Sequence, residues 1–285
     1  MNILQKLMSM IMAIIPSWIL IPFVKMFLGG SILFKDDQAN MDGNDTELPT
    51  ELRHELMPRH LAVILDGNRR WAKQRGLSPI GGYIPGVKSL DTFLSLCCNW
   101  KIPIVSLFVF STENWLRPKA ETDFLLELLE QNLLRISRSY EGRISVIGDT
   151  SLLPNSLQKA IQLIEEKTKD NTKIHLILAI SYSGQNDIVH ACQTIATKVK
   201  DGLLQPEDIT KSLFEEHLRT KVTDVPAPDL LIRTSGELRI SNYFLWQCAY
   251  SEMYFTNTLW PDFGKQEFIE ALRSFQQRGR RFGKV

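Results

Sequence analysis

The chain has 285 residues, 44% of them hydrophobic and 23% charged, and 33 Lys and Arg offset 32 Asp and Glu to a net charge of +1. That balance leaves no global basic field for nucleic acid, so any anion site must be a local cluster. The four cysteines, Cys97, Cys98, Cys192 and Cys248, make no CxxC pair and stand near no histidine at ligand spacing, which argues against zinc and fits buried thiols in a reducing compartment.

Residues 1–35 contain no acid and only Lys6, Lys25 and Lys35 as bases. Leu7 to Val24 is almost wholly apolar, broken by Pro16, Ser17 and Pro22, and lies at the short limit of a membrane span. The lack of acids suits an organelle presequence, whereas the scarcity of Ser and Arg counts against one. An interfacial anchor is the alternative. Targeting and membrane contact therefore stand level for 1–35. Residues 36–55 are polar, carry Gly43 and Pro49, and read as a linker. Residues 56–285 are left as one folded domain.

From His60 short apolar runs alternate with amphipathic stretches. Strands are predicted at 61–65, 104–110, 143–147, 174–180 and 229–233, with a sixth near 243–247, because each run is short and rich in Ile, Val, Leu or Phe. Between them Phe124, Leu125, Leu128, Leu129, Leu133 and Leu134 recur at helical spacing, as do Leu157, Ile161 and Ile164, then Phe268, Leu272 and Phe275. Strand-helix alternation predicts an α/β fold: a single domain with a mostly parallel six-stranded sheet flanked by helices.

In such sheets ligands bind beyond the carboxyl ends of the strands. The first strand runs into Asp66, Gly67, Asn68, Arg69 and Arg70. The second delivers Ser111, Glu113, Asn114, Trp115 and Arg117. The fifth delivers Arg233, Thr234, Ser235, Arg239 and Ser241. Taken singly, each group reads as an N-cap, a turn or a surface ion pair. Three strand ends supplying such groups to one edge point to a site. Arg70, Arg233 and Arg239 suit phosphate oxygens, Gly67 permits close backbone approach, and Asp66 suits Mg²⁺ bridging to phosphate. No GxxxxGK[ST] occurs, and GGYIPG at 81–86 misses the dinucleotide spacing. The helix over 122–136 is ordinary core by default, or one wall of an apolar tunnel.

The stretches HLAVILDGNRRWA, FVFSTENWLRP, IGD at 147–149, LLIRTSGELRISNYFLWQCAYSEMYFTNTLWPDF and FQQRGRRFG together resemble the cis-prenyltransferases, a family that includes undecaprenyl and dehydrodolichyl diphosphate synthases. The likeness covers about residues 56–283, and its detailed spelling is similar to the plant branch that makes short products. It implies that 56–285 is a catalytic domain condensing isopentenyl and allylic diphosphates with Mg²⁺. By resemblance, Asp66 is the metal-side carboxylate and Glu252 the second Mg²⁺-linked one. Gly67, Asn68, Arg69 and Arg70 cradle the allylic diphosphate, with Trp71 and Tyr83 on the same side. Phe110 and Ser111 precede a closing loop that carries Asn114, Trp115 and Arg117. Arg233, Arg239 and Ser241 match the isopentenyl diphosphate clamp. Asp66, Asn68, Ser111 and Asn114 are the implied catalytic residues, and Asn68, Ser111 or the departing diphosphate takes the final proton. The resemblance also implies a homodimer in which 278–283 completes a neighbour's site, no nucleic-acid partner, and a plastid location, with the endoplasmic reticulum membrane as the alternative.

Three positions depart from the family pattern. Tyr83 stands where a histidine is usual, Pro79 where bacterial members have arginine, and Leu238 where histidine is common. Tyrosine donates one hydrogen bond but carries no charge near neutral pH, so the allylic side has less positive charge. Val109 replaces a smaller alanine at the tunnel floor, and only 24 residues separate Pro118 from Arg143. Both favour a short tunnel and products in the monoterpene to diterpene range. The altered allylic side also motivates irregular coupling of two dimethylallyl diphosphates, of the lavandulyl type; the apolar N-terminus keeps a long-chain dehydrodolichyl diphosphate synthase in view. The Asp-Gly-Asn motif and the arginine clamp argue against a non-catalytic partner subunit.

Overall fold

Six short segments become strands: β1 His60–Ile64, β2 Ile104–Ser111, β3 Arg143–Ile147, β4 His175–Tyr182, β5 Leu230–Arg233 and β6 Glu252–Phe255. The computed structural model describes residues 47–281. Every neighbouring pair is parallel, in the order β3-β4-β2-β1-β5-β6, so the sheet is wholly rather than mostly parallel. β1 shows why. All five of its residues are buried, with Leu61 and Val63 in one core and Ala62 and Ile64 in the other. A strand covered on both faces must be apolar throughout.

The covering helices are α1 Asn68–Gln74, α2 Tyr83–Asn99, α3 Lys119–Ser139, α4 Asn155–Thr168, α5 Gly184–Lys200, α6 Lys211–Glu216 and α7 Lys265–Gln276. The three predicted apolar stripes fall on α3, α4 and α7. Leu126, Leu133 and Ile136 of α3 are buried, as are Phe268, Leu272 and Phe275 of α7.

The sixth strand is Glu252–Phe255, paired with Leu230–Arg233, and not the run near 243–247. Ser241, Asn242 and Phe244 have φ of 49°, 61° and 48°, left-handed values that end an extended run. Tyr243 stacks on Phe244 at 4.1 Å and on Phe108 at 4.4 Å. The aromatic run is therefore a coiled plug under the sheet, whose burial imitates a strand in sequence.

The predicted N-terminal segment 1–35 lies outside the described residues. Of the stretch 36–55, residues 47–55 are described and pack on the body. Leu52 is buried, the Arg53 amide donates to Gln276 Oε1 at 2.9 Å, and Gln276 Nε2 donates back to the Arg53 carbonyl at 2.8 Å. Among the described residues no helix is long and apolar enough to cross a membrane.

Candidate active site

Strand order places β2, β1 and β5 side by side, so their carboxyl ends open at one edge. The segments that follow β1 and β5 are laced together: the Asp66 amide donates to Thr234 Oγ1 at 3.0 Å, and that hydroxyl donates to the Asp66 carbonyl at 2.6 Å. Gly67 has φ 116°, and a Cβ there would sit 3.0 Å from Leu259. Only glycine fits both constraints.

Arg233 is 4% exposed. Its Nη2 donates to Asp66 Oδ2 at 2.9 Å and its Nη1 to Ser241 Oγ at 2.6 Å and to the Arg239 carbonyl. Arg70 reaches the same Asp66 oxygen at 3.3 Å, the Ser235 carbonyl at 2.9 Å and Glu237 Oε1 at 3.2 Å. Burial pushes the Asp66 carboxyl up, but hydrogen bonds from Arg233 and Ser235 and the charges of Arg233 and Arg70 outweigh it, so it titrates below the usual carboxylate range.

The opposite wall of the mouth has a hub that sequence reasoning missed. Glu121, 5% exposed, accepts from the Tyr83 hydroxyl at 2.7 Å and lies 3.4 Å from Arg117 Nη1 and 3.5 Å from Arg69 Nε. Arg117 also donates to the Tyr83 oxygen at 3.0 Å. Burial and the bond to Glu121 push the Tyr83 phenol above its ordinary range, so it stays a neutral donor. The only sequence signal for Glu121 is its helical i,i+4 spacing from Arg117.

The closing loop is fastened internally. The Ser111 amide donates to Asn114 Oδ1 at 3.2 Å, and the Ser111 side chain accepts from the Asn114 amide in return. Trp115 Nε1 donates to Ser181 Oγ at 3.1 Å, with its ring edge-on to Phe110 at 5.0 Å. Asn242 Nδ2 donates to Glu113 Oε1 at 3.1 Å, tying this loop to the left-handed run at 241–244.

A cavity of about 1070 Å³ opens between these walls. Asp66, Gly67, Asn68, Arg69, Arg70, Tyr83, Ser111, Asn114, Arg117, Arg233 and Ser241 line it; its depth is Val87, Leu90, Phe108, Val109, Leu125, Leu128 and Leu129. The helix over 122–136 is thus both core and tunnel wall.

Other predicted site residues lie off the cavity wall. Trp71 donates to Asp262 Oδ1 at 2.7 Å under the Arg75 guanidinium. Phe110 is core, Trp115 packs against it, and Arg239 pairs with Glu237 at 2.5 Å. Glu252 is not brought to Asp66. It opens β6 beside Leu230, three residues before Phe255 pairs with Arg233, about 10 Å back along the strand, and it accepts from Arg278 Nη1 at 2.7 Å. Among the described residues no three His, Cys, Asp or Glu side chains cluster as metal ligands. Asp66 offers a carboxylate oxygen at the mouth, which fits the common Mg²⁺ arrangement of one or two carboxylates plus substrate phosphates.

The undecaprenyl diphosphate synthase family model matches residues 64–283. The chain belongs to the cis-prenyltransferase family. A chloroplastic dehydrodolichyl diphosphate synthase of Solanum lycopersicum is 54% identical over 87% of this chain and 80% of its own length. A chloroplastic (2Z,6Z)-farnesyl diphosphate synthase of the same plant is 49% identical over 85% of each chain. Among solved structures, lavandulyl diphosphate synthase from Lavandula x intermedia, in complex with dimethylallyl diphosphate, superposes with a TM-score of 0.78 at 42% identity, over 81% of this chain and all of that one. This cis-prenyltransferase is a prenyltransferase by family, and its relatives include both short-chain and dehydrodolichyl synthases.

Proposed function

We propose that the chain condenses isopentenyl diphosphate with a short allylic diphosphate, such as dimethylallyl diphosphate, to a short cis-prenyl diphosphate. One observation carries this reading: Asp66, gripped by Arg70 and Arg233, stands at the mouth of a cavity whose depth is apolar.

Asp66 would hold Mg²⁺, which would supply positive charge to stabilise the diphosphate. Arg69, Arg70 and Arg117 bind and orient the allylic diphosphate and stabilise negative charge as its C–O bond breaks. Arg233 and Ser241 hold isopentenyl diphosphate so that its alkene faces the allylic carbon. Leu90, Phe108, Val109, Leu125 and Leu128 exclude water that would trap the cation. Asn68 and Ser111 flank the reaction point, and either of them or the departing diphosphate takes the proton. The relatives named chloroplastic favour a plastid location, and a homodimer is the implied assembly.

A second reading, coupling of two dimethylallyl diphosphates, is favoured by the lavandulyl synthase likeness and by Pro79 and Tyr83 on the allylic side. Incubation with Mg²⁺ and matched diphosphate pairs, followed by chromatography of the dephosphorylated products, tests both. Monoterpene- to diterpene-length products from the mixed pair support the main reading. Product from dimethylallyl diphosphate alone supports the second. Chiefly long polyprenyl products would overturn both and point to dehydrodolichyl synthesis.

A further inference from the structure

Two helical stripes face each other along the deep part of the cavity: Val87 and Leu90 on α2, and Leu125, Leu128, Leu129 and Asn132 on α3. The α3 positions follow the i, i+3, i+4, i+7 rule for one face, and Asn132 lies about 10 Å along the axis from Leu125. It is the one amide in an otherwise aliphatic stripe, and it is 6% exposed. Its Nδ2 donates to the Leu128 carbonyl at 2.7 Å, and its Oδ1 accepts from Arg135 Nη2 at 3.0 Å and Nε at 3.3 Å. Arg135 Nη2 donates onward to Asp91 Oδ1 at 2.7 Å. Asp91 directly follows Leu90 on α2, and its carbonyl accepts from the Tyr140 hydroxyl at 3.1 Å. A polar cross-brace therefore ties the two tunnel walls together just where their aliphatic lining stops.

We propose that Asn132, held by Arg135 and Asp91, is the end stop of the tunnel and limits the length of the prenyl chain. This rests on the proposed function and adds the residue that sets product size. A hydrocarbon tail reaching Asn132 meets a fixed amide with both ends hydrogen-bonded. Pushing past it would break those bonds without water to replace them. Val109 lines the same cavity, and Asn132 closes its end.

The test is binding of n-alkyl diphosphates of rising length by calorimetry with Mg²⁺, beside product chromatography. Affinity should rise about fourfold per added methylene and then break where the tail meets the stop. Asn132→Ala should move the break to tails at least two carbons longer and lengthen the largest product. Asn132→Leu, similar in volume but unable to bond Arg135 or the Leu128 carbonyl, should displace the break too, because the stop rests on the braced amide. An unchanged break in either variant overturns the stop. If the parent binds the series yet makes no product, the proposed activity fails while the break still decides the stop.

Discussion

Arg233 of β5 and Asp66 beyond β1 meet at 2.9 Å although 167 residues separate them. The parallel pairing of β1 with β5, Ile64 opposite Arg233, creates that meeting. An arginine this deeply buried needs its carboxylate, and the carboxylate is held ionised by the same contact.

Replacing Arg233 by Met should lower kcat/KM for isopentenyl diphosphate at least tenfold. A charge-assisted hydrogen bond contributes roughly 1.5–3 kcal/mol, and each 1.36 kcal/mol is about a tenfold rate change. Steady-state kinetics with isopentenyl diphosphate varied checks it; a change under threefold would remove Arg233 from the clamp.

Asp66→Asn should abolish measurable turnover at any Mg²⁺ concentration. Its stability effect has a defined pH window. Asp66 titrates lower in the fold than unfolded, so its contribution is fully present above the ordinary carboxylate value of about 3.9 and fades as pH falls through the depressed folded value. Denaturant melts of both proteins should differ most near neutrality and converge in acid.

Gly67→Ala should destabilise the fold by about 1–2 kcal/mol for the left-handed backbone alone, with a further cost for the 3.0 Å approach to Leu259. The melting midpoint should drop by about 2–8 °C in calorimetry. A midpoint equal to the parent's would show that the turn relaxes freely.

Tyr83→Phe leaves Glu121 facing Arg117 and Arg69 without its phenol donor. A lost hydrogen bond to a charged group contributes roughly 1.5–3 kcal/mol, so kcat/KM for the allylic diphosphate should fall at least about tenfold. The isopentenyl diphosphate KM should stay unchanged. Equal loss for both substrates would mean that the hub supports the whole mouth.

Five of the six strands, the α3 and α7 stripes and the gathering of Asp66, Arg70 and Arg233 were legible in the chain. A strand buried on both faces must be a continuous apolar run, and a parallel sheet must send its carboxyl ends to one edge. Both constraints are local and leave marks in a single sequence. Tertiary structure alone decided the rest. Aromatic residues at 243–247 look like a strand until left-handed backbone at Ser241, Asn242 and Phe244 turns them into a plug. Glu121 has no motif, since its partners Tyr83 and Arg69 come from a different part of the chain. Glu252 matches a metal carboxylate by its neighbours in sequence, yet strand register sets it back from Asp66 and against Arg278. Asn132 reads as one more polar residue on a helix until Asp91 faces it through Arg135. Burial and periodicity are written residue by residue, whereas which charges share a cavity depends on register between distant segments.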